Sequence, residues 1–431
     1  MQEPVERTPT RPPDSDQTLP LESASNGEPS INPTQLLEQA TLAMQAGDGD
    51  AAYALARQAV RLAPHDPQAV FLMARMLGER HRFPEAIQML DELAQTTPAT
   101  RLPATGQTAD WMVRFGRWSE AEERYLVLLK EVPDAALVHR NLARLLIRQG
   151  RRAEASKHLD RLCQLGDVEE IELRQMLLAL HPFAGDASNE EFDPIGPRGI
   201  ASFEIGRGDW ESARKTLEAI ETIEPHALGL LGRVYVNLND FAALDRWTET
   251  ASQSNESDAN TWFAKGALAA KQGDHASAVG CFAESVLRDP TDRHAYALMS
   301  QSLEQLDAAK ESAEVAARAK LIEQTQDLGT KMAETTDRDD AELATLIELL
   351  DQLRRPMEAW GWHGVRLAYG RSRASLSGAA EQEVLPQIAR DRPEPSIGND
   401  ELATRQFLLC GVDPSRFSVK KRDHTATDSQ P

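Results

Sequence analysis

The stretch Trp262–Pro290, WFAKGALAAKQGDHASAVGCFAESVLRDP, limits the possible folds more than any other part of the chain. With Ala259 as position 1, Trp262 takes position 4, Gly266 position 8, Ala269 position 11, Gly273 position 15, Ala278 position 20, Phe282 position 24 and Pro290 position 32. Positions 4, 8 and 11 share one face of a helix of about 3.6 residues per turn. Small residues at 8 and 20 let two helices approach closely. Glycine at 15 ends the first helix in left-handed backbone, and proline at 32 stops the second. The spacing predicts two antiparallel helices joined by a tight turn.

The pattern recurs. Gly47, Ala52, Ala59 and Pro64 occupy positions 15, 20, 27 and 32 of a first copy. Ala74, Ala86 and Pro98 occupy 8, 20 and 32 of a second, and Gly116, Ala121, Tyr125 and Pro133 occupy 15, 20, 24 and 32 of a third. Ala143, Gly150, Ala155 and Leu159 mark a fourth, and Ala201, Gly208, Ala213, Leu217 and Pro225 a later one. Residues 228–258 carry a weaker copy through Leu231, Gly232 and Tyr235, and residues 293–326 follow the strong one. Few aromatics (5%) and abundant Ala and Leu suit helix over sheet.

This tandem array resembles the tetratricopeptide repeat, a helix–turn–helix unit of about 34 residues. The resemblance implies an all-α, right-handed superhelix (α-solenoid) of antiparallel helix pairs that binds peptides or protein surfaces; it does not imply catalysis. A weaker likeness links Arg355-Pro356 through Trp360 to bacterial repeat arrays that accompany ASPIC/UnbV-type modules, whose strand-rich sequence is missing here.

The expected organisation is a disordered acidic, Pro-rich tail (1–32), an N-terminal array of about four repeats (33–166), an extra helix and loop (167–193), a second array of about four repeats (194–326), a degenerate or capping helical pair (327–370) and a mostly disordered tail (371–431) with a short amphipathic segment at Glu401–Gly411. In the capping pair, Trp360 and Trp362 cannot share one helix face, so at least one is expected to cover a neighbouring segment.

No HExxH, GxxxxGK[ST] or GxSxG motif is present, and the histidines lack metal-ligand spacing, so no catalytic residue, metal or cofactor is expected. The three cysteines, Cys163, Cys281 and Cys410, lack CxxC spacing. Arg207-Gly208-Asp209 is expected as a turn between two helices, and Asn255-Glu256-Ser257 fits a glycosylation acceptor. A net charge of −21 disfavours nucleic acid and anionic membranes as partners. No apolar run is long enough to span a bilayer, and no export signal is visible at the N-terminus, which makes the cytoplasm the expected location.

Binding is the better prospect. In the resembled family the concave groove is lined by the first helix of each pair, at positions 2, 5, 9, 12 and 13. Arg140, Arg144 and Arg148 take positions 5, 9 and 13 of the fourth copy; spaced four apart, they share one face. Asn141 takes position 6, where the family uses an amide to hold a ligand backbone. Arg75 is position 9 of the second copy and Arg114 position 13 of the third. Seven Arg or Lys face two acidic residues between 139 and 161, reversing the sign of the whole chain. Such a face suits an acidic peptide or a C-terminal carboxylate, because the guanidinium fork grips a carboxylate at two points. Alternatively, it is a solvated face whose arginines pair with neighbouring Glu or Asp. The family's carboxylate-clamp set of Lys and Asn is not reproduced. Phe71 and Phe263, at position 5 of their copies, are expected on the groove, either as anchors or partly covered by the next helix. The expected function is a non-enzymatic scaffold or adaptor that holds a protein or peptide segment in the groove. The alternative is a regulatory or sensor subunit of an enzyme complex whose catalytic chain is separate. Oligomeric state is left open.

Overall fold

The computed structural model describes residues 32–177, 193–251, 257–334, 338–373 and 401–417. Residues 1–31 of the expected tail 1–32, residues 374–400 and 418–431 of the expected tail 371–431, most of the expected loop after the extra helix, and Asn255 lie outside these residues. The described residues form 20 α-helices and two short 3-10 turns, with no strand among them. Two compact units divide at Thr100/Arg101, inside the stretch expected as one N-terminal array.

The first unit holds α1 (Pro33–Gln45), α2 (Gly49–Leu62), α3 (Pro67–Glu79) and α4 (Phe83–Thr96). Asp48 and Asp66 cap α2 and α3 by accepting backbone N–H bonds. Ala74 and Ala86, the small residues at positions 8 and 20, are fully buried where α3 and α4 meet.

The second unit continues the pairing with α5 (Arg101–Phe115), α6 (Trp118–Glu131), α7 (Ala136–Arg148), α8 (Arg152–Leu165) and α9 (Glu170–Leu177). Then follow α10 (Gly196–Gly206), α11 (Trp210–Glu218), α12 (Pro225–Asn237), α13 (Phe241–Ala251), α14 (Ala259–Lys271), α15 (His275–Arg288), α16 (Arg293–Glu304) and α17 (Ala309–Glu334). The small residues again set the spacing. A Cβ on Gly266 would stand 2.8 Å from the ring of Phe282, and one on Gly232 2.6 Å from Trp247, so glycine at position 8 is what lets an aromatic fill position 24 or its neighbour. The turn at position 15 is left-handed at Gly273 (φ 83°), and the same conformation is borne by Asn239 (φ 56°) in the weak copy. Arg207-Gly208-Asp209 forms the α10–α11 turn, with Asp209 capping α11.

The last helical pair, α18 (Asp340–Gln352) and α19 (Pro356–Arg373), turns at Arg355-Pro356 as expected from the sequence. The α18 helix packs on α17, at the end of the second array. The α19 helix packs on α8 and α9, far back in the chain. Arg338 donates to Glu170 at 2.7 Å, Tyr369 donates to Glu170 at 3.1 Å, and Arg355 donates to the Met176 carbonyl at 2.6 Å. The cause is α9, whose Leu173, Met176 and Leu177 are buried (5% exposed or less) on a face that α19 covers. A Cβ on Gly361 of α19 would stand 2.7 Å from Leu173. Trp362 is fully buried, whereas Trp360 is half-buried beside Gly166. The amphipathic segment forms α20 (Glu401–Leu408) and a 3-10 turn at Pro414–Arg416, both resting on α15.

Candidate partner-binding grooves

In the first unit, Arg75 sits on α3, exposed, and pairs with Glu79 at 3.2 Å. Both line a cavity of about 340 Å³ with Thr41, Met44 and Gln45. Phe71 is half-buried on the same helix.

The α7 arginines of the second unit are brought together, as their spacing predicts, and then engaged from within. Arg140 donates through Nε to Glu172 at 2.6 Å and reaches Asp167 and Glu169, leaving its side chain 12% exposed. Arg144 approaches Glu169 at 3.9 Å. Arg148 donates to the Asp193 carbonyl at 2.8 Å, and burial pulls its guanidinium below its ordinary pKa. Asn141, expected to hold a ligand backbone, instead donates to Asp110 at 3.0 Å. Tyr125 donates to the same carboxylate at 2.6 Å, and burial raises the pKa of Asp110. Arg114 lies exposed at the end of α5.

Phe263 does not stand on the groove as an open aromatic. It is 2% exposed, with the Arg233 guanidinium 3.9 Å above its ring. Arg233, itself 2% exposed, donates to Asn260 at 2.5 Å and pairs with fully buried Asp292, the N-cap of α16. Asp289 is buried beside this pair. One of its oxygens accepts from Thr291 at 3.0 Å (N–H) and 2.6 Å (O–H); the other has no hydrogen-bond partner. Burial, then the neighbouring Asp292 charge, pushes Asp289 up to about 6.

Two cavities open along α12 and α14. One, of about 370 Å³, is lined by Arg151, Lys157, Arg198, Arg233 and Arg288 against the acidic Glu154 and Asp258. Arg151 is fixed between Glu122 and Glu154, and Arg198 holds Glu224, itself half in solvent. The other, of about 490 Å³, is lined mainly by Val236, Phe241, Phe263, Ala267, Ala270 and Leu298. Arg198 and Arg233 occupy positions 5 and 9 of their copies, the register of Arg140 and Arg144. The rule that drew attention to α7 would have found them had it been applied to the second array.

No group of three or more His, Cys, Asp or Glu that could hold a metal occurs among the described residues. The three cysteines are free, and burial pushes Cys281 and Cys410 up to about 11 and Cys163 higher still, so all three stay protonated at neutral pH. No described helix is long and apolar enough to cross a membrane.

Tight turns at a fixed register and buried small residues at positions 8 and 20 define an all-α repeat protein of stacked helix pairs. Family models of the tetratricopeptide repeat match residues 43–104 and 113–169, so the chain carries tetratricopeptide repeats over these residues. No curated protein matches the sequence. Among solved structures, it is similar to a tetratricopeptide repeat protein from Parabacteroides merdae, at 14% identity over 63% of this chain and 98% of that one, with a TM-score of 0.30. It is also similar to the TPR2AB-domain:pHSP90-complex of yeast Sti1, at 14% identity over 74% of this chain and 98% of that one, with a TM-score of 0.28.

Proposed function

We propose that this protein is a non-catalytic adaptor and that the face of α10, α12, α14 and α16 holds an extended segment of a partner protein. The interaction role rests on the repeats themselves. The choice of face rests on one observation: an apolar cavity and a cation-lined cavity lie along the same two helices, α12 and α14. An apolar side chain of the segment fills the space among Val236, Phe263, Ala270 and Leu298. Its acidic groups lie toward Lys157, Arg198 and Arg288. Apolar anchoring supplies affinity, and the cationic rim sets direction and selects against basic segments.

The test is selection of displayed random peptides on the full chain, followed by affinity measurement on variants. Leu298→Glu is expected to weaken the selected peptide at least tenfold, and Arg144→Glu to leave it unchanged. The reverse result would move the site to the α7 arginines, where an acidic or C-terminal segment would compete with Glu169 and Glu172.

A further inference from the structure

The C-terminal segment Glu401–Phe417 touches the rest of the molecule in the manner of a bound ligand. Its helix has eight residues, too short to persist alone in water. It is held by a few side chains. The Phe407 ring receives the guanidinium groups of Arg318 at 4.6 Å and Arg354 at 4.1 Å. Leu409 and Val412, 3% and 4% exposed, join the core cluster that contains Phe282, Val286 and Tyr296. Tyr296 donates to the Leu408 carbonyl at 2.9 Å while accepting from Arg318 at 2.9 Å. Two ion pairs flank these contacts, Arg405 with Glu284 at 3.4 Å and Arg416 with Glu311 at 2.9 Å. The receptor residues Tyr296, Arg318, Glu284 and Glu311 belong to α15–α17, where Arg318 bonds to Tyr296 and Arg288 pairs with Glu284 independently of the segment. Ser312 bonds to Ser300 across α16 and α17.

We propose that this surface of α15–α17, with Arg354, is a second docking site, distinct from the α12–α14 groove, and that Glu401–Phe417 is its resident ligand. The partner it fits is a short helical segment of another protein carrying the same chemistry: an aromatic residue for the two guanidinium groups, Leu and Val at the spacing of Leu409 and Val412, and basic residues at both ends for Glu284 and Glu311. The resident segment belongs to the same chain as its receptor surface, so its docking is intramolecular and sets an effective concentration against which an outside segment competes. An outside segment therefore binds only when its local concentration or affinity overcomes that competition. The surface is closed at rest and opened by competition.

The experiment uses the full chain and a fluorescent peptide of sequence 401–417. Hydrogen exchange on the unmodified chain should show amides 403–412 opening far more readily than those of α14 and α16; equal protection would make the segment a fixed part of the fold and overturn the proposal. Phe407→Ala in the full chain weakens the resident copy and should raise affinity for the peptide at least tenfold over the unmodified chain. The same peptide with Phe407→Ala should lose binding, as should the double variant Phe407→Ala, Arg354→Ala. Absence of peptide binding to the Phe407→Ala chain, with helicity by circular dichroism unchanged, would overturn the proposal. So would a concentration-dependent dimer that Phe407→Ala abolishes, because the surface would then serve exchange between copies of this chain.

Discussion

The α7 face and the α12–α14 face use the same repeat register for opposite ends. On α7, position 5 holds Arg140, and α9 with the loop before it supplies Asp167, Glu169 and Glu172 to receive it. On α12 and α14, positions 9 and 5 hold Arg233 and Phe263, which stack on each other; α14 adds Ala267 and Ala270 and α16 adds Leu298, leaving space. A groove position thus says where a side chain points. Whether it is available is decided by what the following repeat brings to meet it. The first face has become a joint and the second keeps its cavities.

The sharpest way to break this comparison is to remove the ion pair that supports the second face. Asp292→Ala strands the buried charge of Arg233 and should cost about 3–5 kcal/mol in urea-induced unfolding. A loss below about 1 kcal/mol would mean that Arg233 reaches water and that the floor of the second face is not fixed. On the first face, Arg140→Ala leaves Glu172, whose side chain is 4% exposed, without its main partner. Glu172 still accepts from the Glu169 backbone at 2.9 Å, so the cost is smaller, about 2 kcal/mol. Peptide affinity should not change in that variant. If it fell while stability held, the two faces would have to exchange roles.

The repeat units could be read from the sequence because each depends on local rules: small residues at positions 8 and 20, a turn at 15, a stop at 32. The cluster of α7 arginines could also be read, since a spacing of four is a helical distance. Their fate could not. Glu172 lies 32 residues beyond Arg140, and nothing in either helix alone says that they meet. The return of α19 to α9 was hidden for the same reason, since Tyr369 and Glu170 are 199 residues apart. The α12–α14 cavities depend on small residues failing to fill a space, and composition cannot register a space.

Acidity should separate the two regions by sign. His158 of α8 lies 2.9 Å from His139 (Nδ1 to Nδ1), and burial, then the His139 charge, lowers it to about 4. The unfolded chain takes up that proton near pH 6.5 and the folded one only near 4, so His158 makes stability fall as pH drops across this window. Asp289 has the opposite effect. Its folded value of about 6 exceeds the unfolded carboxylate's, so the folded state binds the proton first, and Asp289 makes stability fall as pH rises from about 4 to 6. His158→Gln should therefore gain on the unmodified chain as pH falls, and Asp289→Asn should gain as pH rises. Each difference is limited to about 1.4 kcal/mol per pH unit. Unfolding curves at pH 4, 5, 6 and 7 read both, and parallel slopes in all three proteins would remove the proposed asymmetry.

The smallest stability effect carries the finest distinction. Lys157 is exposed on α8 at the rim of the cation-lined cavity, and charge reversal at such a site changes folding by about 0.5 kcal/mol or less. Lys157→Glu should nevertheless weaken an acidic peptide several-fold, mainly by slowing association, and the deficit should shrink as salt rises because exposed charges are screened. Leu298→Glu, in contrast, should raise the dissociation rate and be insensitive to salt. The two variants therefore separate the cationic rim from the apolar anchor of one face. If both lost affinity through the same rate constant, with the same salt dependence, the two cavities would not be parts of one peptide site.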